Sequence, residues 1–205
     1  MARVYAIDGV RPVVDPSAFV HPDATLIGDV IVGANCYVGP GAVLRGDMGL
    51  IRMEPGSNMQ DNCIAHSFVD MDVVLGEFAN VGHGAVLHGC KLGRRTLIGM
   101  NSVIMDGAVI GDESFVAALC FVGSGFEVPP RKIAAGIPAK ILRDVTEEEL
   151  VWKKLGDEDY QNVIRRSRAS LEAVEPLTSM DGIGEGTRID IQGVPPLYKA
   201  RGTLL

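Results

Sequence analysis

Aliphatic side chains recur every six residues along most of this chain. The period is interrupted between Leu50 and Leu75 and slips by one residue between Leu87 and Leu92. A period of six matches neither the helical repeat of about 3.6 residues nor the two-residue alternation of a half-buried strand. It predicts a short strand and a turn, repeated three times in each coil of a solenoid. The aliphatic positions are Val20, Leu26, Val32, Val38, Leu44, Leu50, Leu75, Val81, Leu87, Leu92, Ile98, Ile104, Ile110, Val116 and Val122.

The residues between the aliphatic positions fit the same coil. Four residues after most of them comes a small side chain, such as Ala24, Cys36 or Ala42, which we expect to point inward where the faces converge. Glycine often follows the aliphatic residue directly, as at Gly99 and Gly111, and we expect it to permit turn conformations that other residues resist. Because aromatic residues make up only 5% of the chain, the core must be aliphatic.

Hexapeptide coils of this type resemble the left-handed parallel β-helix. We therefore expect an all-β domain of this class, followed by a C-terminal α-helix. About 15 hexapeptides, taken three at a time, give roughly five to seven coils. The left hand is implied by the resemblance, since the general rule for parallel crossovers predicts a right hand. The alternative, a β-sandwich, would show two-residue alternation with turns about every 8–12 residues.

The period ends near residue 128, and the chain divides there. We predict a β-helix domain over residues 1–128, a connector over 129–145, a C-terminal helical segment over 146–176 and an irregular tail over 177–205. Thr146 and Glu149 form the capping-box pattern of a helix N-terminus. Gly156 and Asp157 are expected to break the helix into two segments, and Pro176 is expected to end it.

Charge and hydropathy exclude several classes of protein. The net charge of -7 argues against a nucleic-acid partner, because phosphate binding needs a basic face. The sequence contains no apolar run of about 18 residues, the length that would predict a membrane span. The N-terminus lacks the apolar core of a signal peptide, so we expect a cytoplasmic protein. Without a CxxC pair, the cysteines are expected to be small buried residues rather than disulfides or a catalytic thiol. They are Cys36, Cys63, Cys90 and Cys120.

Three of the four histidines fall in one part of the repeat, at His66, His83 and His88. His66 and His88 are separated by about one coil plus a loop over residues 67–73, which leaves the period and should protrude, so we expect both on one edge. His83 precedes His88 by five residues and should lie past a turn. Three imidazoles and a water suit zinc. If all three histidines are ligands, His83 of one protomer must meet His66 and His88 of the next, which predicts a homotrimer with a metal at each interface.

Polar residues cluster in the sequence just before these histidines. They comprise Arg45 and Asp47 in LRGDM, and Asn58, Gln60 and Asp61 in SNMQDN. Arg45 precedes Asp61 by 16 residues, so we expect both near the edge that carries His66. A buried arginine and two carboxylates would have to pair with one another. An interface ion-pair network and a role at the substrate are both compatible with this pattern.

The segments VLRGDM, NMQDNCIAH and VGHGAVLHGC, in this order, resemble the gamma-class carbonic anhydrase family over about residues 8–145. The resemblance implies a trimer whose metal ligands are His66, His83 and His88. It implies that Gln60 hydrogen-bonds the metal-bound hydroxide. The metal would be Zn²⁺, with Fe²⁺ or Co²⁺ possible because imidazole suits all three. The resemblance also implies an ion-pair network that bridges subunits and lines the pocket, formed by Arg45, Asp47 and Asp61.

The segments LIGMNSVIMDGAVIGDESFVAA, GIPAKILRDVTEEELVWKKLGDEDYQ and LEAVEPL resemble the PaaY-like subfamily, to about residue 178. This subfamily includes phenylacetic acid degradation protein PaaY and the related carnitine-operon protein. The resemblance implies an acyl-CoA thioesterase linked to phenylacetate degradation, in which metal-bound hydroxide attacks the thioester carbonyl. The chain departs from the family prototype at Met48 and in the loop that holds Asp70 and Asp72, where the prototype carries glutamates for proton export.

This departure favours thioester hydrolysis over the alternative, hydration of CO2 to bicarbonate by a gamma-class carbonic anhydrase, because each CO2 turnover must export a proton. The substrate would be an acyl-CoA in the first case and CO2 or bicarbonate in the second. A hexapeptide acyltransferase with one histidine as base would not explain three histidines around one predicted interface. A non-catalytic assembly subunit is a fourth possibility. The predicted catalytic residues are Gln60, Arg45, Asp47 and Asp61.

Overall fold

The computed structural model describes residues 2–179 and 193–204. From β1 (Arg3–Tyr5) to β19 (Lys132–Ala135) the chain winds through seven coils with three faces, and each strand pairs in parallel with strands one coil away. This is the left-handed parallel β-helix that the six-residue period predicts, with helix α1 (Glu147–Ser170) after it. The coil count reaches the upper end of the predicted range.

Each face is a ladder of short strands, and two longer strands bend from the first face to the second. The bent strands are β4 (Thr25–Val32) and β6 (Val43–Met53). The first face also contains β1, β8 (Ile64–His66), β11 (Val86–His88), β14 (Val103–Ile104) and β17 (Phe121–Val122). The second face also contains β2 (Val13–Val14), β9 (Val73–Leu75), β12 (Lys91–Leu92), β15 (Val109–Ile110) and β18 (Glu127–Val128). The third face contains β3 (Phe19–Val20), β5 (Tyr37–Val38), β7 (Asn58–Met59), β10 (Asn80–Val81), β13 (Leu97–Ile98), β16 (Phe115–Val116) and β19.

The predicted aliphatic positions form one continuous core inside the coils. All of them are buried except Val20 and Leu50. The first exception, Val20, is partly buried against the same core. The second exception is Leu50, because Ile51 takes the inward position instead. The pairing of β4 with β6 shifts register where β6 bends: from Gly28 to Val30 is two steps in β4, whereas the paired residues Gly46 and Ile51 are five steps apart in β6. The three extra residues displace the inward phase of β6. Each buried aliphatic side chain contributes about 1.5–3 kcal/mol relative to an exposed one.

The glycines that follow the aliphatic residues do not adopt the turn conformation that the sequence suggests. Gly99 and Gly111 have no positive φ. A Cβ at Gly99 would lie only 2.3 Å from a backbone nitrogen of the next coil, and a Cβ at Gly111 only 2.5 Å from another. Glycine is therefore required there for close approach of neighbouring coils. Positive φ occurs two residues later, at residues such as Asn101 (φ 55°) and Glu113 (φ 58°).

Helix α1 packs along the β-helix as one unbroken element. Thr146 caps it, accepting a hydrogen bond from the Glu149 backbone, and the Glu149 side chain completes the predicted capping box. The expected break at Gly156 and Asp157 is wrong, since α1 continues through both residues. The helix ends at Ser170, before Pro176, with Leu171 as its C-cap.

The segment predicted as a connector contains two strands. After β19, strand β20 (Lys140–Asp144) turns back and pairs antiparallel with it. In the tail, α2 (Leu197–Ala200) lies near α1, and Trp152 Nε1 donates to the Pro195 carbonyl at 2.9 Å. Residues 180–192 and 205, part of the predicted irregular tail, lie outside the described residues. Within the described ranges, no helix has the length and apolar character needed to cross a bilayer.

Candidate functional site

His66 and His88 lie side by side at the edge between the first and second faces, which we call the paired-histidine edge. They end strands β8 and β11 and are partners in the parallel register. His66 Nδ1 lies 3.0 Å from His88 Nε2, and the two rings meet edge to face. The prediction that these two histidines share an edge, one coil apart, is confirmed.

The other nitrogen of each ring contacts a carboxylate. His66 Nε2 lies 3.0 Å from Asp47 Oδ1, and His88 Nδ1 lies 2.5 Å from Asp106 Oδ1. A metal-binding imidazole commonly donates its second N–H to a carboxylate, which fixes the tautomer and the orientation of the ring. The nitrogens left over are the two that face each other across 3.0 Å.

Asp106 is a site residue that the sequence motifs do not reveal. It comes 18 residues after His88, which is one regular coil, so it lies on the same edge one coil further along. That spacing is the signal that identifies it. A carboxylate one coil after a candidate histidine ligand is placed to orient the ring.

Arg45 and Asp47 form an ion pair next to His66. Arg45 Nη1 lies 2.6 Å from Asp47 Oδ2, while the other carboxylate oxygen contacts the His66 ring. Burial opposes ionisation of Asp47, but the hydrogen bonds from Arg45 and His66 outweigh it and lower the pKa of that carboxyl. Asp47 is therefore an anion that holds His66 on one side and Arg45 on the other.

His83 lies at a different edge, between the third and first faces, which we call the His83 edge. Its Nδ1 is 3.2 Å from Asp61 Oδ2, and 49% of the His83 side chain is exposed. As predicted, a turn separates it from His88. The expectation that Asp61 shares an edge with Arg45 and His66 is wrong. Asp61 precedes β8 whereas His66 ends it, so the two residues lie at opposite edges of the first face.

Gln60 precedes Asp61 and belongs to the His83 edge. Its side chain is 7% exposed, and Nε2 donates to Asn58 Oδ1 at 3.3 Å. With the amide nitrogen engaged in this way, the carbonyl oxygen is the part of Gln60 that remains to accept a hydrogen bond from a ligand.

The paired histidine nitrogens fit the donor set of a divalent metal. Two nitrogen ligands of a tetrahedral zinc, each about 2.0–2.1 Å from the metal, lie about 3.3 Å apart. The observed separation of 3.0 Å is close to that value. Within residues 2–179 and 193–204, no three His, Cys, Asp or Glu side chains of one chain are grouped closely enough to hold a metal. One protomer thus brings together two of the three predicted ligands.

Exposed apolar side chains lie beside the charged groups of the paired-histidine edge. The protruding loop at residues 67–73 places the Phe68 ring 5.8 Å from the His88 ring. Met48, next to Asp47 in the chain, is 43% exposed, and Met71 in the loop is 38% exposed. A cavity of about 320 Å³ lies beside His88, lined by Asp70, Met71, Asp72, Gly89, Lys91, Gly107, Ala108 and Val109.

The four cysteines do not compete with the histidines as a catalytic centre. All are buried, as predicted, and none forms a disulfide. Burial raises the pKa of Cys63 to about 11 and that of Cys90 to about 12. Because the thiolate is the nucleophile, a thiol with a raised pKa is poorly suited to catalysis.

Comparison with known proteins places this geometry in a family. A model of the bacterial transferase hexapeptide, covering six repeats, matches residues 11–46 and 89–124. The solved structure of a hexapeptide transferase family protein from Anaplasma phagocytophilum is 39% identical, with a TM-score of 0.77 over 80% of this chain and 96% of that chain. The structural likeness and the family model agree on a hexapeptide-repeat solenoid.

Among curated proteins, the relatives are carnitine operon proteins. The carnitine operon protein CaiE of Salmonella agona (strain SL483) is 54% identical over 177 residues, which are 86% of this chain and 89% of the relative. The CaiE of Escherichia coli (strain SMS-3-5) is 53% identical over 197 residues, which are 96% of this chain and 98% of the relative. The likeness therefore continues well beyond residue 178. The chain belongs to the hexapeptide transferase family and, within it, to the group of the carnitine operon protein CaiE.

Proposed function

We propose that this chain is a metal-dependent hydrolase of acyl-CoA thioesters. The observation that carries the proposal is the pair formed by His66 and His88, whose facing nitrogens lie 3.0 Å apart while carboxylates hold the opposite nitrogens. Two histidines oriented in this way would supply two of the three imidazoles of a three-histidine metal centre. The other predicted ligand, His83, lies at another edge of the same chain.

The position of His83 supports a homotrimer. A ring of three protomers can place the His83 edge of each against the paired-histidine edge of the next. The half-exposed His83 side chain would then supply the third ligand, and Asp61 would hold its ring. Gln60 would reach the same centre from the same side. Each interface would contain one complete site, built from Zn²⁺, Fe²⁺ or Co²⁺ and three imidazoles.

In the proposed hydrolysis, different groups at the site have different roles. A metal held there would supply a Lewis acid that polarises the thioester carbonyl and acidifies water. Water adds to the carbonyl carbon, the carbon–sulfur bond breaks, and the products are a carboxylate, a proton and the CoA thiol. The Gln60 carbonyl oxygen accepts a hydrogen bond from the attacking water and orients it. Arg45, held by Asp47, places a positive charge beside the anionic substrate.

The apolar side chains among the charged groups of this edge favour a thioester over CO2. Met48 stands where a proton-exporting carboxylate would be needed, and Phe68 packs on His88. Asp72 accepts a hydrogen bond from the Leu50 backbone N–H at 3.0 Å, which ties the loop to β6. The cavity of about 320 Å³ beside His88 is large enough for an acyl group.

A gamma-class carbonic anhydrase is the second candidate, because the same three histidines and Gln60 would serve CO2 hydration. Its weak point is the export of protons past Met48. If that step limits the rate, Met48→Glu should raise CO2 hydration in buffers of low concentration, while Met48→Gln should not. Stopped-flow measurement with a pH indicator would show the difference.

The deciding experiment combines metal analysis of the purified protein with two assays. Thioester hydrolysis is followed by release of the CoA thiol from acetyl-CoA, phenylacetyl-CoA and carnitinyl-CoA. The last two compare the phenylacetate link with the carnitine link that the relatives' names suggest. We expect about one metal per protomer and hydrolysis that is lost on chelation and in His88→Ala. Thiol release that appears only with an added amine or hydroxyl acceptor would instead indicate an acyltransferase.

A further inference from the structure

A buried lysine of helix α1 contacts a row of side-chain amides that ends at Gln60. The amide row consists of Asn80, Asn58 and Gln60, and all three side chains are buried. Asn58 and Asn80 are register partners on the third face, against which α1 packs. The lysine is Lys153, which is only 2% exposed.

Lys153 uses its ammonium group to contact three acceptors. Its Nζ lies 2.9 Å from the Phe78 carbonyl oxygen and 3.4 Å from Asn80 Oδ1, and it forms an ion pair with Asp157 Oδ1. Asp157 also pairs with Arg95, whose Nη1 lies 2.6 Å from its other oxygen. The ammonium is therefore fixed from both sides, by the coil and by its own helix.

The amide row continues from Asn80 toward the His83 edge. Asn80 Oδ1 accepts a second hydrogen bond, from Asn58 Nδ2 at 2.6 Å. Asn58 Oδ1 in turn accepts from Gln60 Nε2 at 3.3 Å. Asn80 Oδ1 thus accepts from both sides, and Asn58 and Gln60 each donate through the side-chain nitrogen to the oxygen of the preceding amide. In a flipped row, every amide would exchange its oxygen and nitrogen.

The lysine decides which of the two directions the row adopts. An ammonium group only donates, so Asn80 must turn its oxygen toward Lys153. That choice makes Asn58 donate to Asn80, which turns the Asn58 oxygen toward Gln60 and engages the Gln60 nitrogen. We propose that Lys153 is a positioning residue that sets the direction of the amide row, so that Gln60 presents a carbonyl oxygen, and not an N–H group, to the attacking water. The contact between the Gln60 oxygen and the attacking water rests on the proposed function.

The first test compares two substitutions that both weaken the docking of α1. Lys153→Met removes the donor at similar volume, and Arg95 remains to pair with Asp157. Arg143→Met is the matched control, because Arg143 holds α1 through Glu149 at 2.7 and 2.8 Å and does not contact the amide row. We expect Lys153→Met to lower kcat by about 10- to 100-fold at unchanged metal content, and Arg143→Met to change it by less than about threefold. Equal losses in the two variants would overturn the proposal.

A second comparison asks whether Lys153 acts through Gln60. In a Gln60→Ala background, Lys153→Met should lower kcat no further, because the residue that it positions is gone. A loss of the same size in both backgrounds would refute the positioning role. This double-mutant cycle separates two causes of a lower kcat. A loss through the direction of the amide row requires Gln60, whereas a loss through weaker packing of α1 would lower kcat equally in either background.

A measurement without turnover keeps the inference separate from the proposed function. In the metal-free protein, side-chain amide hydrogens of Asn58 and Gln60 should exchange slowly by NMR and become exchange-labile in Lys153→Met. Unchanged protection would contradict the inference even if thioester hydrolysis were established. Conversely, the protein could lack hydrolase activity while Lys153→Met still loses the amide protection as expected. That result would support the inferred direction of the amide row and refute only the role of Gln60 in hydrolysis.

If Lys153→Met does not fold, two substitutions at Asn80 decide the question. Asn80→Asp keeps an acceptor between Lys153 and Asn58, and it should retain the amide protection and kcat. Asn80→Leu removes the acceptor and should lose both. Identical behaviour of these two variants would overturn the proposed direction of the amide row.

Discussion

The two edges of the first face both carry histidine, but they hold it in different ways. At the paired-histidine edge, His66 is 13% exposed, and both ring nitrogens of His66 and of His88 have partners. At the His83 edge, one nitrogen contacts Asp61 at 3.2 Å and 49% of the side chain is exposed. The first edge is organised within one protomer, whereas the second presents its histidine outward.

This difference follows from the position of each residue in the coil. His66 and His88 end stacked strands, so the coil repeat places them in register and brings Asp106 next to His88. His83 lies in a turn between the third and first faces, where no further histidine follows one coil later. In the proposed trimer, an arrangement of this kind would couple the completion of the site to assembly of the oligomer.

The largest expected effect comes from two single variants, each of which removes one histidine from a different edge. His83→Ala and His88→Ala should each abolish metal binding and thioester hydrolysis, and His83→Ala should also loosen the trimer. If sites are shared, mixing the two variants should restore intact sites that combine His66 and His88 of one protomer with His83 of another. Random trimers would regain about a quarter of the sites.

Activity and metal content of the mixed, refolded trimers provide the measurement. Each variant refolded alone serves as the control. A mixture that stays inactive although mixed trimers form would show that the two edges do not build one site.

A smaller effect is expected from the carboxylates behind the rings. Asp106→Asn should lower metal affinity by about 10- to 100-fold, because an amide no longer fixes the proton-donating nitrogen of His88. Asp61→Asn should cost less, since its contact with His83 is longer and more exposed. Competition with a chromophoric chelator measures both affinities. Equal losses would mean that the two edges hold their histidines equally firmly.

The smallest expected effect concerns helix α1, which contacts the third face next to the His83 edge. A hydrogen bond from Arg143 holds the pKa of Glu149 down to about 2. A folded-state pKa below the unfolded value of 4.5 stabilises the protein above pH 4.5, and that stability is lost as the pH falls toward 2. We expect a loss on the order of 1–3 kcal/mol over this range.

Fluorescence of Trp152, the single tryptophan, reports on α1 during acid titration. In Glu149→Gln this acid-dependent step should disappear. The exchange protection of His66 and His88 backbone amides should persist to lower pH than that of α1. Simultaneous loss would show that the helix and the paired-histidine edge unfold as one unit.

The regular part of the molecule could be predicted from sequence because one spacing governs it. The six-residue period identifies the core at Leu87 or Ile98, and the coil length pairs His66 with His88. The same rule would have identified Asp106. It places Leu50 and Asp61 incorrectly, since a bend in β6 shifts the phase and a turn separates residues that are close in sequence.

Features that depend on contacts between distant segments could not be predicted in this way. Glycine next to aspartate suggests a helix break at Gly156 and Asp157, but Asp157 is held in the helix by Lys153 and by Arg95, 62 residues away. The connector likewise conceals two strands, because β20 forms only by pairing with β19. Local propensity does not encode such partners.

Strand β20 has a consequence for the solution behaviour of the chain. A stack of parallel coils exposes unpaired backbone groups at its end, and such an edge can recruit further strands and grow into fibrils. By running antiparallel to β19, β20 occupies that edge on the third face and reverses the direction of the chain. All five of its residues are exposed, and Lys140, Arg143 and Asp144 add charge to the new edge. On the third face, the hairpin therefore denies a further coil the free edge of β19 on which it could stack.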